Sequence, residues 1–231
     1  MPTVLITGAN RGLGLEFCRQ YAETGWRVLA TCRDLRRADA LKTLAAKHPS
    51  VSLHALDLSR FDAIDALAAE LAQESIDVLL NNAGVYGPSE YNRFGTMDYD
   101  LWAGVLKINA AAPVKMAEAF LPRLERGSRK LIVAVSSLMA SMADNTSGGS
   151  IIYRSSKAAL NAAMKSLAID LQPRGIGVLL LHPGWVRTDM GGANAPTLPE
   201  ESVSGLRKVI EAYAPADSGK FLDFRGKELP W

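Results

Sequence analysis

Short apolar, β-branched runs recur along this chain, and a helix-length stretch separates most neighbours. "TVLIT" (3–7), "WRVLAT" (26–31), "VSLHAL" (51–56), "IDVLLNN" (76–82), "KLIVAVSS" (130–137) and "IGVLLLHP" (176–183) read as strands. They are nearly continuous in apolar residues rather than alternating, which suits strands of a parallel sheet covered on both faces. Helical patterns occupy 12–24, 36–48, 60–74, 98–126 and 152–172. Such alternation requires right-handed crossovers and predicts an α/β, doubly wound, mostly parallel sheet with helices on both faces. A helix around 199–213 and a last strand near "KFLDF" (220–224) bring the sheet to about seven strands. Residues 1–231 read as one domain. The segment 183–200, rich in Gly, Pro and Thr, has no period and is either a functional lid or a floppy loop. The wider region 184–215 is expected on the substrate side.

Composition narrows the classes of function. Of the 231 residues, 48% are hydrophobic and 22% charged, enough for a buried core and too apolar for wholesale disorder. Net charge is +2 and no basic stripe stands out, so neither a nucleic acid nor a membrane is expected as partner. Cys18 and Cys32 have no metal-like spacing and read as buried thiols in a reducing compartment. His48, His54 and His182 share no ligand spacing either, so no metal is expected. The first glycine turn arrives too early for a signal peptide, and no window approaches a membrane span. The expectation is a soluble, cytoplasmic protein.

"TGANRGLG" (7–14) follows the first strand and opens the first helix. In that context glycines let backbone approach a pyrophosphate, and the helix N-terminus supplies free N–H groups and a positive dipole end. The sheet is therefore expected to be of Rossmann type, with ligands at the carboxyl ends of its strands. The second strand ends in Cys32, Arg33 and Asp34. Arg33, helped by Arg11 from the glycine turn, suits the 2′-phosphate of NADP(H); Asp34 on the ribose would instead suit NAD(H). NADP(H) is favoured and NAD(H) is the alternative. At the third strand end, Asp57 could accept from an adenine amino group or cap the next helix. At the fourth, "NNAG" (81–84) offers amides to tie loops together and a small step beside a flat ring.

Tyr153 and Lys157 in "IIYRSSKAAL" (151–160) lie one turn apart on a helix, hence on one face. A phenol titrates near pH 10 in water. A neighbouring ammonium stabilises the phenolate and lowers that value, toward the range where general acid catalysis works well.

Taken in order, "TGANRGLG", "NNAG", Asn109 in "KINA", the serines of "VSS", "YRSSK" and "HPGWVRTDM" resemble the short-chain dehydrogenase/reductases. The resemblance runs from Thr3 to Trp231. "SLMASMADNTSGGSIIYRSSKAALN" and "FRGKELPW" are similar to the branch holding C-factor proteins and sniffer-type carbonyl reductases. It implies Tyr153 as proton donor, Lys157 as its activator, Ser137 rather than Ser136 as carbonyl anchor, and Asn109 holding a relay water. The cofactor would rest on Gly8, Asn10, Arg11, Gly12, Leu13 and Gly14, on Arg33, Asp57 and Leu58, on Asn82, Ala83 and Gly84, and on Tyr153 and Lys157. Pro183, Gly184, Val186 and Thr188 would line its nicotinamide end. The substrate would be a small carbonyl compound or alcohol. The helices at 98–126 and 152–172 correspond to those that pair subunits, which implies a homodimer or homotetramer.

Sixteen positions separate Ser137 from Tyr153, more than the family's common spacing, and "ADNTSGG" accounts for the excess. The insertion leaves substrate shape open. Loops at 139–149, 85–96 and 185–198 are expected to build the pocket, with Met139, Met142, Met190 and Trp185 either packing or meeting an apolar substrate. The expected activity is NADPH-dependent reduction of an aldehyde or ketone. The competing expectation is a dinucleotide-binding signalling protein of C-factor type with little turnover.

Overall fold

A computed structural model describes residues 1–88 and 93–231 of the chain. Seven strands form one sheet in the order β3-β2-β1-β4-β5-β6-β7, and every paired neighbour is parallel. In chain order they are β1 (Thr3–Ile6), β2 (Arg27–Cys32), β3 (Val51–Ala55), β4 (Val78–Asn81), β5 (Leu131–Val135), β6 (Gly177–His182) and β7 (Phe221–Asp223). The helices are α1 (Gly12–Glu23), α2 (Asp39–Lys47), α3 (Phe61–Glu70), α4 (Tyr99–Leu106), α5 (Ala112–Arg126), α6 (Ile151–Asp170) and α7 (Pro199–Glu211).

The continuous apolar runs have the expected cause. Successive side chains of a strand point to opposite faces, and here both faces are covered. Val4 and Ile6 of β1 enter a core with Phe17, Cys18 and Tyr21 of α1, Leu41 of α2, and Val203, Leu206 and Ile210 of α7. Leu5 enters the opposite core, with Ile64 and Leu67 of α3, Met116 and Phe120 of α5, and Leu160 and Met164 of α6. Cys18 and Cys32 are buried free thiols.

The strand order reverses between β1 and β4. After β1 the chain moves out to β2 and β3; β4 then returns to the other side of β1. At that switch point the loops after the two strands diverge and leave a crevice at their carboxyl ends.

Element limits differ from the sequence expectation in instructive ways. The helix expected over 98–126 is α4 and α5 joined by a π-turn, Lys107–Ala111, which carries Asn109. Helix α3 stops at Glu70 rather than 74, since Leu71 already leaves helical geometry. The stretch 199–213 forms α7, whose apolar stripe is in the core. Among the described residues, no helix is long and apolar enough to cross a membrane.

Candidate active site

The glycine turn is held by contacts that exclude larger residues. Gly8 has φ +68°, and a Cβ there would lie 2.9 Å from the Cα of Ala83. A Cβ on Gly14 would lie 2.1 Å from the Gly8 carbonyl oxygen and 2.6 Å from Asn82 Nδ2. Asn82 does the tying from the β4 side. Its Nδ2 donates to the carbonyls of Thr7 at 2.9 Å and Gly8 at 3.3 Å. The Thr7 hydroxyl accepts from the backbone N–H groups of Asn82 and Ala83, both at 3.1 Å. The expected loop-tying role of "NNAG" is thus met by Asn82, while Asn81 is buried with its Nδ2 unpartnered among the described residues.

These features fit a dinucleotide. Helix α1 has no side-chain cap at its N-terminus and no acidic residue in its first turn, so its leading N–H groups are available to an anion. A Cβ on Gly12 would come within 3.4 Å of Thr188 Cγ2, so one added methyl group would fill the space between the glycine turn and the loop after β6. Leu13 and Leu58 are half-buried against the two cores.

Side chains after β2 and β3 behave differently from one another. Arg33 is exposed. Asp34 is engaged locally: its Oδ1 accepts from the Arg36 Nε–H and backbone N–H, both at 3.0 Å. That leaves Arg33 as the freer neighbour. Asp57 turns the chain rather than capping α3, since its Oδ1 accepts from the Ser59 hydroxyl at 2.7 Å and N–H at 2.9 Å. The Ser59 hydroxyl bond is the main reason its carboxyl is held below the usual range, with the charge of Arg33 contributing. The Arg11 guanidinium reaches Asp189 in the loop after β6, at 2.7 Å.

At the other end, β4, β5 and α6 bring four predicted residues together. Ser137 follows β5, and its hydroxyl lies close enough to that of Tyr153 to lower the phenol's pKa. Ser136 is turned away, donating to Asn161 Oδ1 at 2.6 Å. Lys157, 4% exposed, donates to the Val135 carbonyl at 2.9 Å. Its Nζ would lie 3.3 Å from a Cβ placed on Gly84, and the absence of that atom gives the ammonium its room. Asn109 is fully buried in the π-turn. It clamps Val85, accepting from its N–H at 2.9 Å and donating to its carbonyl at 2.8 Å, and it also donates to Ser156 Oγ at 2.9 Å. Both Nδ2 donors of Asn109 are thus committed to protein partners. π-Turns interrupt the regular helical ladder and occur often at functional sites.

The electrostatic expectation for Tyr153 is corrected here. Burial raises its pKa to about 12; the Ser137 hydroxyl opposes the rise and nearby Tyr86 adds to it. Lys157 goes the other way, pushed down to about 8 by burial. Its Nζ is 6.0 Å from the Tyr153 ring centroid and bonded to a carbonyl, so desolvation outweighs the pull of the ammonium on the phenol.

The sequence profile of the short chain dehydrogenase family matches residues 2–198. The chain belongs to that family. C-signal of Myxococcus xanthus is 45% identical over 166 residues, 72% of this chain and 99% of that protein. The 1-hydroxy-2-glutathionyl-2-methyl-3-butene dehydrogenase of Rhodococcus sp. (strain AD45) is 35% identical over the full length of both. Among solved structures, the carbonyl reductase Sniffer of D. melanogaster superposes with TM-score 0.93 at 35% identity, covering all of both chains. The NADPH-bound carbonyl reductase from chicken fatty liver gives 0.93 at 34%, covering 100% of this chain and 99% of that one.

In this short chain dehydrogenase the loop after β6 is ordered by its own bonds. Val186 and Thr197 form a β-bridge, and Trp185 Nε1 donates to the Gly191 carbonyl at 2.7 Å. Pro183 is braced by the Ser202 hydroxyl of α7 at 2.6 Å, and Gly184 packs on Phe224. Trp185, Met190 and Met142 remain more than half exposed. Asn10 is half-buried in the glycine turn. Of the expected pocket loop 85–96, Ser89 to Asn92 lie outside the described residues. A groove of about 670 Å³ between α7 and β7, lined by Glu201, Lys208, Leu222 and Phe224 among others, includes none of the predicted site residues. Sequence reasoning missed Tyr86, whose ring lies against Tyr153 at 4.6 Å between centroids. An aromatic two positions after "NNAG" gives no signal of that contact by itself.

Proposed function

We propose that this chain is an NADPH-dependent reductase of aldehydes or ketones. The observation that carries the reading is the constellation of half-buried Ser137 with buried Tyr153 and Lys157 at the carboxyl end of β5, next to Gly84 after β4. When bound, NADPH supplies hydride to the carbonyl carbon. The glycine turn and the start of α1 would hold the pyrophosphate, Arg33 and Arg11 the 2′-phosphate, and Asp57 and Leu58 the adenine side. Ala83, Gly84, Pro183, Gly184, Val186 and Thr188 would flank the nicotinamide end, and Lys157 would bond its ribose. The loop 185–197 would close over the substrate.

Tyr153 gives its proton to the carbonyl oxygen. A phenol near pKa 12 is fully protonated at neutral pH, and it remains a far stronger acid than an alcohol, so transfer to a developing alkoxide runs downhill. Ser137 donates to the same oxygen as charge builds there. Lys157, mostly charged below pH 8, offers a positive charge to the phenolate left behind. In alcohol oxidation the same residue must first lose its proton, so that direction is expected to speed up as pH rises.

The likeness to C-signal supports a second reading, in which dinucleotide binding serves signalling. Loss of NADPH absorbance with a panel of aldehydes, ketones and quinones separates the two. Tyr153→Phe is expected to lower turnover by about 10²–10⁴-fold, the usual worth of a general acid, with NADPH affinity unchanged. NADPH binding without oxidation by any carbonyl would favour the signalling reading, and full turnover by Tyr153→Phe would remove Tyr153 from the mechanism.

A further inference from the structure

We propose that Tyr86 is a positioning residue for the reaction: its ring stacks on the ring of Tyr153, and its hydroxyl fastens that support to Ser150 at the entrance to α6. The inference rests on the function proposed above.

The chain of contacts begins at a fixed point. Asn109 holds both backbone polar groups of Val85, at 2.9 and 2.8 Å, so the residue that follows leaves from a clamped backbone. That residue is Tyr86. Its ring centroid lies 4.6 Å from that of Tyr153 with the planes 33° apart, within the range where aromatic pairs attract. Its hydroxyl lies 2.6 Å from Ser150 Oγ.

Ser150 is an unusual place for that bond to land. Gly148, Gly149 and Ser150 have φ of +64°, +68° and +47°, three left-handed residues in succession, and only the last carries a side chain. A serine in that region is uncommon without compensation. The hydroxyl pair with Tyr86 supplies an anchor there. Ser150 directly precedes Ile151, the first residue of α6, and Tyr153 is the third. How the chain turns into α6 therefore decides where the Tyr153 hydroxyl points. Ser137 meets that hydroxyl and Lys157 follows one turn later, so the ring has a partner at its tip and Tyr86 at its face. The extra residues between Ser137 and Tyr153 end at this anchor, which gives the longer loop a fixed terminus beside the site.

The ring stack and the hydroxyl bond are separable by substitution. In the full chain, Tyr86→Ala is expected to lower kcat by about tenfold to a hundredfold, the scale of a small misplacement of a reacting group, with NADPH affinity kept. Water reaching Tyr153 would ease its deprotonation, so the pH profile of alcohol oxidation should move to lower pH. Tyr86→Phe keeps the stack and should recover kcat to within about threefold, and Ser150→Gly, which relieves the backbone but removes the hydroxyl, should match it. Should Tyr86→Ala fail to fold, Tyr86→Leu is read the same way. Wild-type kcat and an unmoved profile in the Ala or Leu variant would overturn the assignment, as would a Phe variant no better than Ala. Tyr153→Phe, run alongside, keeps the two claims apart. A dead Tyr153→Phe with a normal Tyr86→Ala defeats only the role of Tyr86, whereas an active Tyr153→Phe defeats the underlying function.

Discussion

Arg11 and Asp189, 178 positions apart, join the glycine turn after β1 to the loop after β6 through a 2.7 Å hydrogen bond. Both side chains are more than 70% exposed, so the pair is weak and open to competition. In the proposed cofactor site a 2′-phosphate competes with Asp189 for the Arg11 guanidinium. Asp189→Asn should therefore tighten NADPH binding by about two- to fivefold, within the range of a surface ion pair, and leave NADH binding nearly untouched. The gain should fade as salt is raised. Fluorescence titration of both cofactors measures it. Arg33→Asp should act oppositely and move preference toward NADH. Equal changes for NADPH and NADH in both variants would take the phosphate away from these arginines.

Lys157 is held by the Val135 carbonyl in surroundings that bring its pKa down to about 8. Its folded value is depressed, so the charge is present below that pH and lost above it. Tyr153, near 12, keeps its proton throughout the neutral range. The rate of carbonyl reduction should be flat between about pH 6 and 8, then fall about tenfold per pH unit as the ammonium is lost. Lys157→Arg, which cannot lose its charge there, should be slower at pH 7 but lack that decline. A wild-type profile flat to pH 10 would exclude the ammonium from the mechanism.

The sheet was legible because its cause is local. An apolar run with both faces covered announces itself in composition, and Val4, Leu5 and Ile6 do fall alternately into the two cores. The glycine turn was legible for a related reason: Gly8 and Gly14 stand where any Cβ collides with Ala83 or the Gly8 carbonyl. Legibility ended where a property depends on what surrounds a group. The Tyr153–Lys157 spacing reveals a shared helix face and says nothing of how dry that face is, yet burial sets the direction of both shifts. The direction of Arg11 depends on where a loop 178 residues away arrives. The π-turn at Lys107–Ala111 likewise carries the Asn109 clamp on Val85, a contact that no periodicity encodes.

His182, at the end of β6, shows how such hidden burial should govern stability in acid. Its Nδ1 is buried without a hydrogen-bond partner among the described residues. Burial pushes its pKa from 6.5 down to about 4, although the carboxylates of Asp223 and Asp144 pull it upward. The unfolded chain thus binds a proton more readily than the folded one between those values. Folding stability from this residue is complete above about pH 6.5 and is lost as pH falls toward 4. The gap, 6.5 − 4 or about 2.5 pKa units, corresponds to roughly 3 kcal/mol at about 1.4 kcal/mol per unit. Urea unfolding of the wild type and of His182→Asn at pH 7, 5.5 and 4.5 isolates the effect. The variant cannot titrate there, so its stability should fall less with acid even if it starts lower at pH 7. Parallel curves for the two proteins would mean that His182 accepts its proton in the folded state as easily as in the unfolded one.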